Sequence, residues 1–318
     1  MNFVLGAVLF GLGLAVMLGS VEGLVKSVSA RAAALGVSGV ALGALSTSLD
    51  PESTGAGLAA AFKNLPAIAV GSHVGSVVFI ATLALGVLAV VHPFEVEVDH
   101  YFIKGVGLVT GLAVAIIASG TLDRVRGALL LVTFAVLVRG AVRRLRPAGV
   151  PTAPRQTSEF DESNPREAHH PTSRFVLRVV VALAGLVIGS ELLIEGAQRL
   201  LATLGWSATI FGSVVIAIAI SLEEGMLELV PAHRGHPEIS VGNVVGTIPF
   251  LLGGSLGLIG VVHPMTITAS LRGFHALALA VAVALALWAL TRERTGRREG
   301  ALLITAYGLY LSGSILLG

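Results

Sequence analysis

The chain has 318 residues, 54% of them hydrophobic and only 13% charged, with a mean hydropathy of +0.88 and a formal net charge of +2. Soluble domains carry about a quarter charged residues, so this is the composition of a polytopic membrane protein, with no basic surface to suggest nucleic acid. The absence of cysteine excludes disulfides, thiolate metal sites and cysteine nucleophiles.

Taken in chain order, apolar windows of about 20 residues predict an all-α membrane protein of ten transmembrane helices, at 3–25, 36–61, 67–91, 102–120, 124–145, 174–202, 205–231, 238–262, 270–290 and 299–317. The first has no cation before it and is as long as a full span, so it reads as a retained helix rather than a signal peptide. Between the fifth and sixth lies "RPAGVPTAPRQTSEFDESNPREAHHPTS", a Pro-rich, charged linker at 146–173 that includes the solvated pair His169–His170. It separates an N-terminal set of five helices (1–145) from a C-terminal set (174–318). Most of the 21 Lys and Arg fall in or beside loops that follow odd-numbered spans. The positive-inside rule then places the linker in the cytoplasm and both termini outside, in what reads as the plasma membrane of a prokaryote. Five spans per half give the halves opposite orientations.

The halves echo each other. "LGSVEGLVKSVSARAAALGVS" (18–38) resembles "IGSELLIEGAQRLLATLGWS" (188–207), with Glu22 against Glu191. "AIAVGSHVGS" (67–76) resembles "EISVGNVVGT" (238–247), and "SLDPES" (48–53) stands where "SLEEGM" (221–226) stands. Three echoes in one order describe two inverted repeats with interrupted helices, the plan of a secondary transporter.

The second span of each half carries acids: Asp50 and Glu52 around Pro51, then Glu223 and Glu224. Proline removes a backbone donor and breaks the helix, which frees carbonyl oxygens to join the carboxylates. A charge at the bilayer centre costs about 2.5–3.5 kcal/mol on insertion scales, so such acids imply a use. Oxygen ligands without cysteine suit calcium or sodium rather than zinc or copper. The competing reading puts these acids at a span end among headgroups, and Glu228, near Arg234, is expected there. In the next span of each half, Gly71 and Gly75, or Gly242 and Gly246, permit close helix approach. Ser72, Ser76, Asn243 and Thr247 between them are candidate further ligands. His73 is a candidate proton carrier, and Glu22 and Glu191 could line an access path. "HRGHPE", with His233, His236 and Glu238, is expected to be a solvated loop and not a metal site.

"SLDPE…FKNLPAIAVGSHVGS" and "SLEEGMLELVPAHRGHPEISVGNVVGT" resemble the two alpha-repeats of the calcium/cation antiporter superfamily, here at about 43–80 and 212–251. That resemblance implies alternating access to calcium held between one glutamate from each repeat, mapped to Glu52 and Glu224 and flanked by Thr47, Ser48 and Ser221. Calcium is then cargo, with sodium or protons as counter-ion, and no resident cofactor is implied. The match is imperfect. Asp50 is inserted before Pro51, Glu223 replaces the proline of the second repeat and Ile220 its threonine. Anchoring the first repeat on Phe62–Lys63 instead puts Ser53 at the glutamate position. Family polar positions read Val77, Ile80, Ile248 and Leu251, which weakens sodium coupling and makes proton coupling plausible. The alternatives are an exchanger of the same fold for another cation or solute, or a transport-inactive structural or regulatory membrane protein. A membrane-embedded enzyme lacks the necessary nucleophile and histidine pattern.

Overall fold

The computed structural model describes residues 2–34, 50–145, 172–292 and 294–317. Its helices, in chain order, are α1 (Asn2–Ala34), α2 (Pro51–Phe62), α3 (Pro66–Val91), α4 (His100–Ser119), α5 (Arg124–Leu145), α6 (Thr172–Leu204), α7 (208–233), α8 (Pro237–Val262), α9 (Leu271–Leu290) and α10 (Arg297–Leu317). Among the described residues eight are long and apolar enough to cross a membrane, or nine if the two limbs of α7 count as one span. The first part of the predicted second span, and most of the linker, lie outside the described residues. α2 is the described part of that span, and α6 begins at Thr172, just ahead of the expected start.

Local chemistry sets the boundaries. Pro51, Pro66 and Pro237 each occupy a first helical position, where a missing amide hydrogen costs nothing. Between α2 and α3 the chain turns through Asn64 at φ 56°, and between α7 and α8 through Gly235 at φ 87°. Both are left-handed conformations, which Asn and Gly tolerate best. α3 and α8 match segment for segment: 13 α-helical residues, a π-helical turn of 6 and a final 7 in each. Pro249 precedes the second π turn, but Val78 precedes the first, so proline is not what makes it.

α3 and α8 are the centre of the molecule, each 78% buried, whereas α1, α5 and α6 are 22%, 11% and 28% buried and present Val8, Val125 and Val181 outward. Such apolar outer surfaces suit lipid. α1 and α6 pack along each other through glycines. A Cβ at Gly13 would run into the Leu193 backbone, and one at Gly189 into that of Met17. A Cβ at Gly75 of α3 would run into the Ser213 backbone of α7, and one at Gly71 would press on the Ser213 amide nitrogen at 3.3 Å, the small-residue crossing expected from their spacing. Among the described residues, a Cβ at Gly242 would meet nothing within 4 Å.

Loop contacts sort the helix ends into two groups. Where α3, α7 and α9 end, His92 meets His233 and Phe94 bridges Thr295. Where α2, α4 and α8 end, Phe62 packs on His263 and the short strands Thr121–Leu122 and Met265–Thr266 pair antiparallel.

Replacing Gly13 by Ala should force α1 and α6 apart at a cost of about 1–3 kcal/mol. Gly11→Ala, on the same helix with nothing within 4 Å, should be neutral or slightly stabilising. Thermal melting of the two variants in detergent checks this, and equal melting temperatures would refute the packing.

Candidate cation site

Asp50 caps the start of α2. Its Oδ1 accepts the Ser53 amide at 2.7 Å, the usual use of a capping carboxylate, which leaves Oδ2 free to face elsewhere. From the other half, α7 bends by 51° between Leu222 and Glu224. The bend brings the Glu224 carboxyl within hydrogen-bonding reach of Asp50, with Glu52 and Glu228 close enough to add their charge. All four acids are buried, with exposures between 0 and 5%. Among the described residues, Asp50 Oδ2, Glu224 Oε2 and both oxygens of Glu228 have no hydrogen-bond donor. A buried carboxylate without donors or a cationic partner is strongly unfavourable, so this cluster requires either bound cations or protons.

Other buried oxygen atoms on the same helices and on α3 and α8 also have unused bonding capacity. Ser221 on α7, Ser76 on α3, and Asn243 and Thr247 on α8 are buried with side-chain polar atoms that lack partners among the described residues. Ser53 and Ser240 are the same; the sequence offered Ser53 only as the alternative occupant of the glutamate position, and gave no signal for Ser240. Ser72 is different: its hydroxyl bonds to the Ala69 carbonyl at 3.3 Å, so it is committed to its own helix. No three His, Asp or Glu side chains stand together at metal-ligating distance among the described residues. A cation here would draw on hydroxyl, amide or carbonyl oxygens and water besides the carboxylates. Thr47 and Ser48 lie outside the described residues, and of Glu223 only the backbone is described.

The turn shared by the two halves sets the register. Counted back from Asn64 and Gly235, Ser53 takes the place of Glu224, Glu52 that of Glu223, and Asp50 that of Ser221. α2 is unbroken from Pro51 to Phe62, which leaves no bulge to restore Glu52 to the position of Glu224. The first-half acid that meets Glu224 most directly is Asp50, supplied by the cap rather than by the helix.

His73 is fully buried between α2, α3 and α8. Its Nδ1 donates to the Ala69 carbonyl at 2.8 Å, so its Nε2 accepts from the Ser255 hydroxyl at 2.7 Å. Ser255 in turn accepts from Thr54 at 2.8 Å, the residue one turn beyond Asp50. The ring is thus a satisfied tie between three helices that ends beside the acids. A second buried histidine, His275, bonds to Ser213 at 3.0 Å, next to the α3–α7 crossing. Its sequence neighbours gave no signal. Glu191 lies away from the cluster, half-exposed and paired with Lys63 at 2.9 Å beyond the far end of α2. Glu22 is exposed on α1. Glu228, expected at the interface, is instead fully buried one turn beyond Glu224, because α7 continues to His233 before it reaches the loop. His236 pairs with Glu238 at 3.0 Å on the surface, as a solvated loop should.

The profile of the sodium/calcium exchanger protein family matches residues 5–142 and 175–316, nearly all of both halves. The chain belongs to this family. Among relatives of the exchanger, it is 29% identical over 280 residues to a putative antiporter, CaxA, of Alkalimonas amylolytica, covering 86% of this chain and 85% of the relative. It is 27% identical over 223 residues to an uncharacterized membrane protein of Methanocaldococcus jannaschii, covering 70% and 69%. Its fold is similar to that of the solved sodium-calcium exchanger NCX_Mj, with a TM-score of 0.64 at 22% identity over 98% of both chains. Family membership makes this a transporter rather than an enzyme.

Ser255→Ala should strand the His73 Nε2 and loosen the join of α2, α3 and α8. The expected loss is about 1–3 kcal/mol, seen as a lower melting temperature in detergent. Unchanged melting would show that the tie carries no load.

Proposed function

We propose that the protein exchanges calcium for protons or sodium across the membrane by alternating access, with calcium as cargo at the Asp50–Glu224 cluster. The observation that carries this reading is the meeting of two buried acids, Asp50 and Glu224, from the two halves, at a helix start and a helix bend, with no Lys or Arg paired to either among the described residues. Glu52, Ser53, Ser76, Ser221, Asn243 and Thr247 complete the candidate ligand set, with Glu223, Thr47 and Ser48 added from sequence. A divalent ion offsets charges that a helix interior cannot otherwise hold.

The scaffold in this reading is ten helices in two inverted five-helix repeats, 1–145 and 174–318, joined by a cytoplasmic linker. The loop contacts support it. The ends of α3 and α7 adjoin, as do those of α2 and α8. Consecutive α2 and α3 run oppositely, so α2 and α7 do too, which is what inversion requires. The group of ends after odd-numbered helices is also the group rich in Lys and Arg, so it faces the cytoplasm and both termini lie outside.

For the counter-ion we favour protons. Val77, Ile80, Ile248 and Leu251 are all buried and apolar, where sodium would need oxygen. Protons need only the carboxyl groups themselves. Acidifying the outside of calcium-loaded proteoliposomes should therefore release calcium without sodium. Asp50→Asn and Glu224→Gln should each slow release about tenfold or more, because affinity in oxygen cages follows ligand charge, while the protein still inserts. Release that requires sodium and ignores the pH step would reverse the choice of counter-ion. No release under either gradient would overturn the exchanger reading.

A further inference from the structure

His92 ends α3, in the first half, and His233 ends α7, in the second. Their facing nitrogens, His92 Nε2 and His233 Nδ1, are 3.1 Å apart, with ring centroids 5.1 Å apart and nearly perpendicular rings. His233 is exposed and His92 half-buried, so water and ions reach the pair. We propose that His92 and His233 form a two-imidazole site for a borderline transition-metal divalent cation such as zinc, tying the end of α3 to the end of α7. This proposal does not depend on calcium being the cargo.

The geometry fits. Zinc–imidazole bonds of about 2.0–2.1 Å at a tetrahedral angle put two ligating nitrogens about 3.3 Å apart. The observed separation needs to open by only a few tenths of an ångström. At present one ring donates to the other, so one of the facing nitrogens carries hydrogen. Metal binding needs lone pairs on both, which a tautomer shift supplies without changing the charge of either ring. The donor ring moves its hydrogen to its other nitrogen. No third His, Asp or Glu is placed to ligate among the described residues, so water completes the shell. Nitrogen ligands select zinc, nickel or copper over calcium, which separates this site chemically from the acid cluster. The matching contact at the ends of α2 and α8 is Phe62 on His263, which offers a single imidazole and cannot chelate. The site therefore belongs to one group of helix ends only. The loop "HRGHPE" does bear a metal-binding histidine, but its partner is His92 and not His236 or Glu238.

Zinc chloride titrated calorimetrically into the full chain in detergent, purified without a polyhistidine tag, tests this. The wild type should bind zinc and melt higher in its presence, since a ligand of the folded state stabilises it. His92→Ala and His233→Ala should each weaken binding at least about tenfold, since even outer-shell losses cost 10–100-fold. Both variants should lose the zinc-dependent rise in melting. The double variant should be no worse than either single one. His236→Ala should bind as the wild type does, and millimolar calcium should not compete. Either single variant binding zinc like the wild type, or a wild type that binds none, would overturn the site.

Discussion

Buried carboxyl groups, each with an oxygen that lacks a donor among the described residues, are what the rest of this molecule is arranged around. Asp50 and Glu224 come from different halves, lie close together, and form no ion pair with a Lys or Arg among the described residues. Such a cluster is unstable in hydrocarbon unless something mobile neutralises it. That instability is useful in a carrier, because a site with a permanent counter-charge would have no reason to take up or release a cation. The helix start at Pro51 and the bend before Glu224 serve the same end. They set the Asp50 and Glu224 carboxyls near each other inside the protein, and irregular backbone at membrane depth is tolerated only where it is buried in protein or lines a cavity.

The surrounding helices divide the work. α3 and α8 fill the centre with matching π turns and hold Ser76, Asn243 and Thr247 toward the interior. The His73–Ser255–Thr54 chain ties the capped end of α2 to both of them. α1 and α6 pair with each other through glycine contacts and expose most of their surface. Close backbone packing of this kind is a main source of helix adhesion in lipid, where no hydrophobic gradient exists between helices.

Much of this was legible in the sequence. Hydropathy placed the eight long apolar helices found among the described residues within a few residues, because length and apolarity are what a bilayer selects for. The echo of "VGSHVGS" in "VGNVVGT" located the central helices, and Gly71 and Gly75 do mediate a close crossing. Other features depend on contacts distant in sequence. Nothing near His73 announces Ser255, and nothing near His233 announces His92. A hydropathy window cannot place Glu228 inside rather than at the interface, since that depends on how far α7 runs before it turns. The assignment of Glu52 as the counterpart of Glu224 rested on a motif. The shared turn at Asn64 and Gly235 gives that place to Ser53, and leaves the cap residue Asp50 as the acid that meets its partner across the halves.

The account stands on Asp50 and Glu224 holding one cation together. Calcium binding to the purified protein, measured by calorimetry for the wild type, Asp50→Asn, Glu224→Gln and the double variant, tests that most directly. If both ligate one ion, the losses are strongly non-additive, and the double variant binds no more weakly than the weaker single one. Losses that simply add, or calcium affinity untouched by either change, would contradict a shared site.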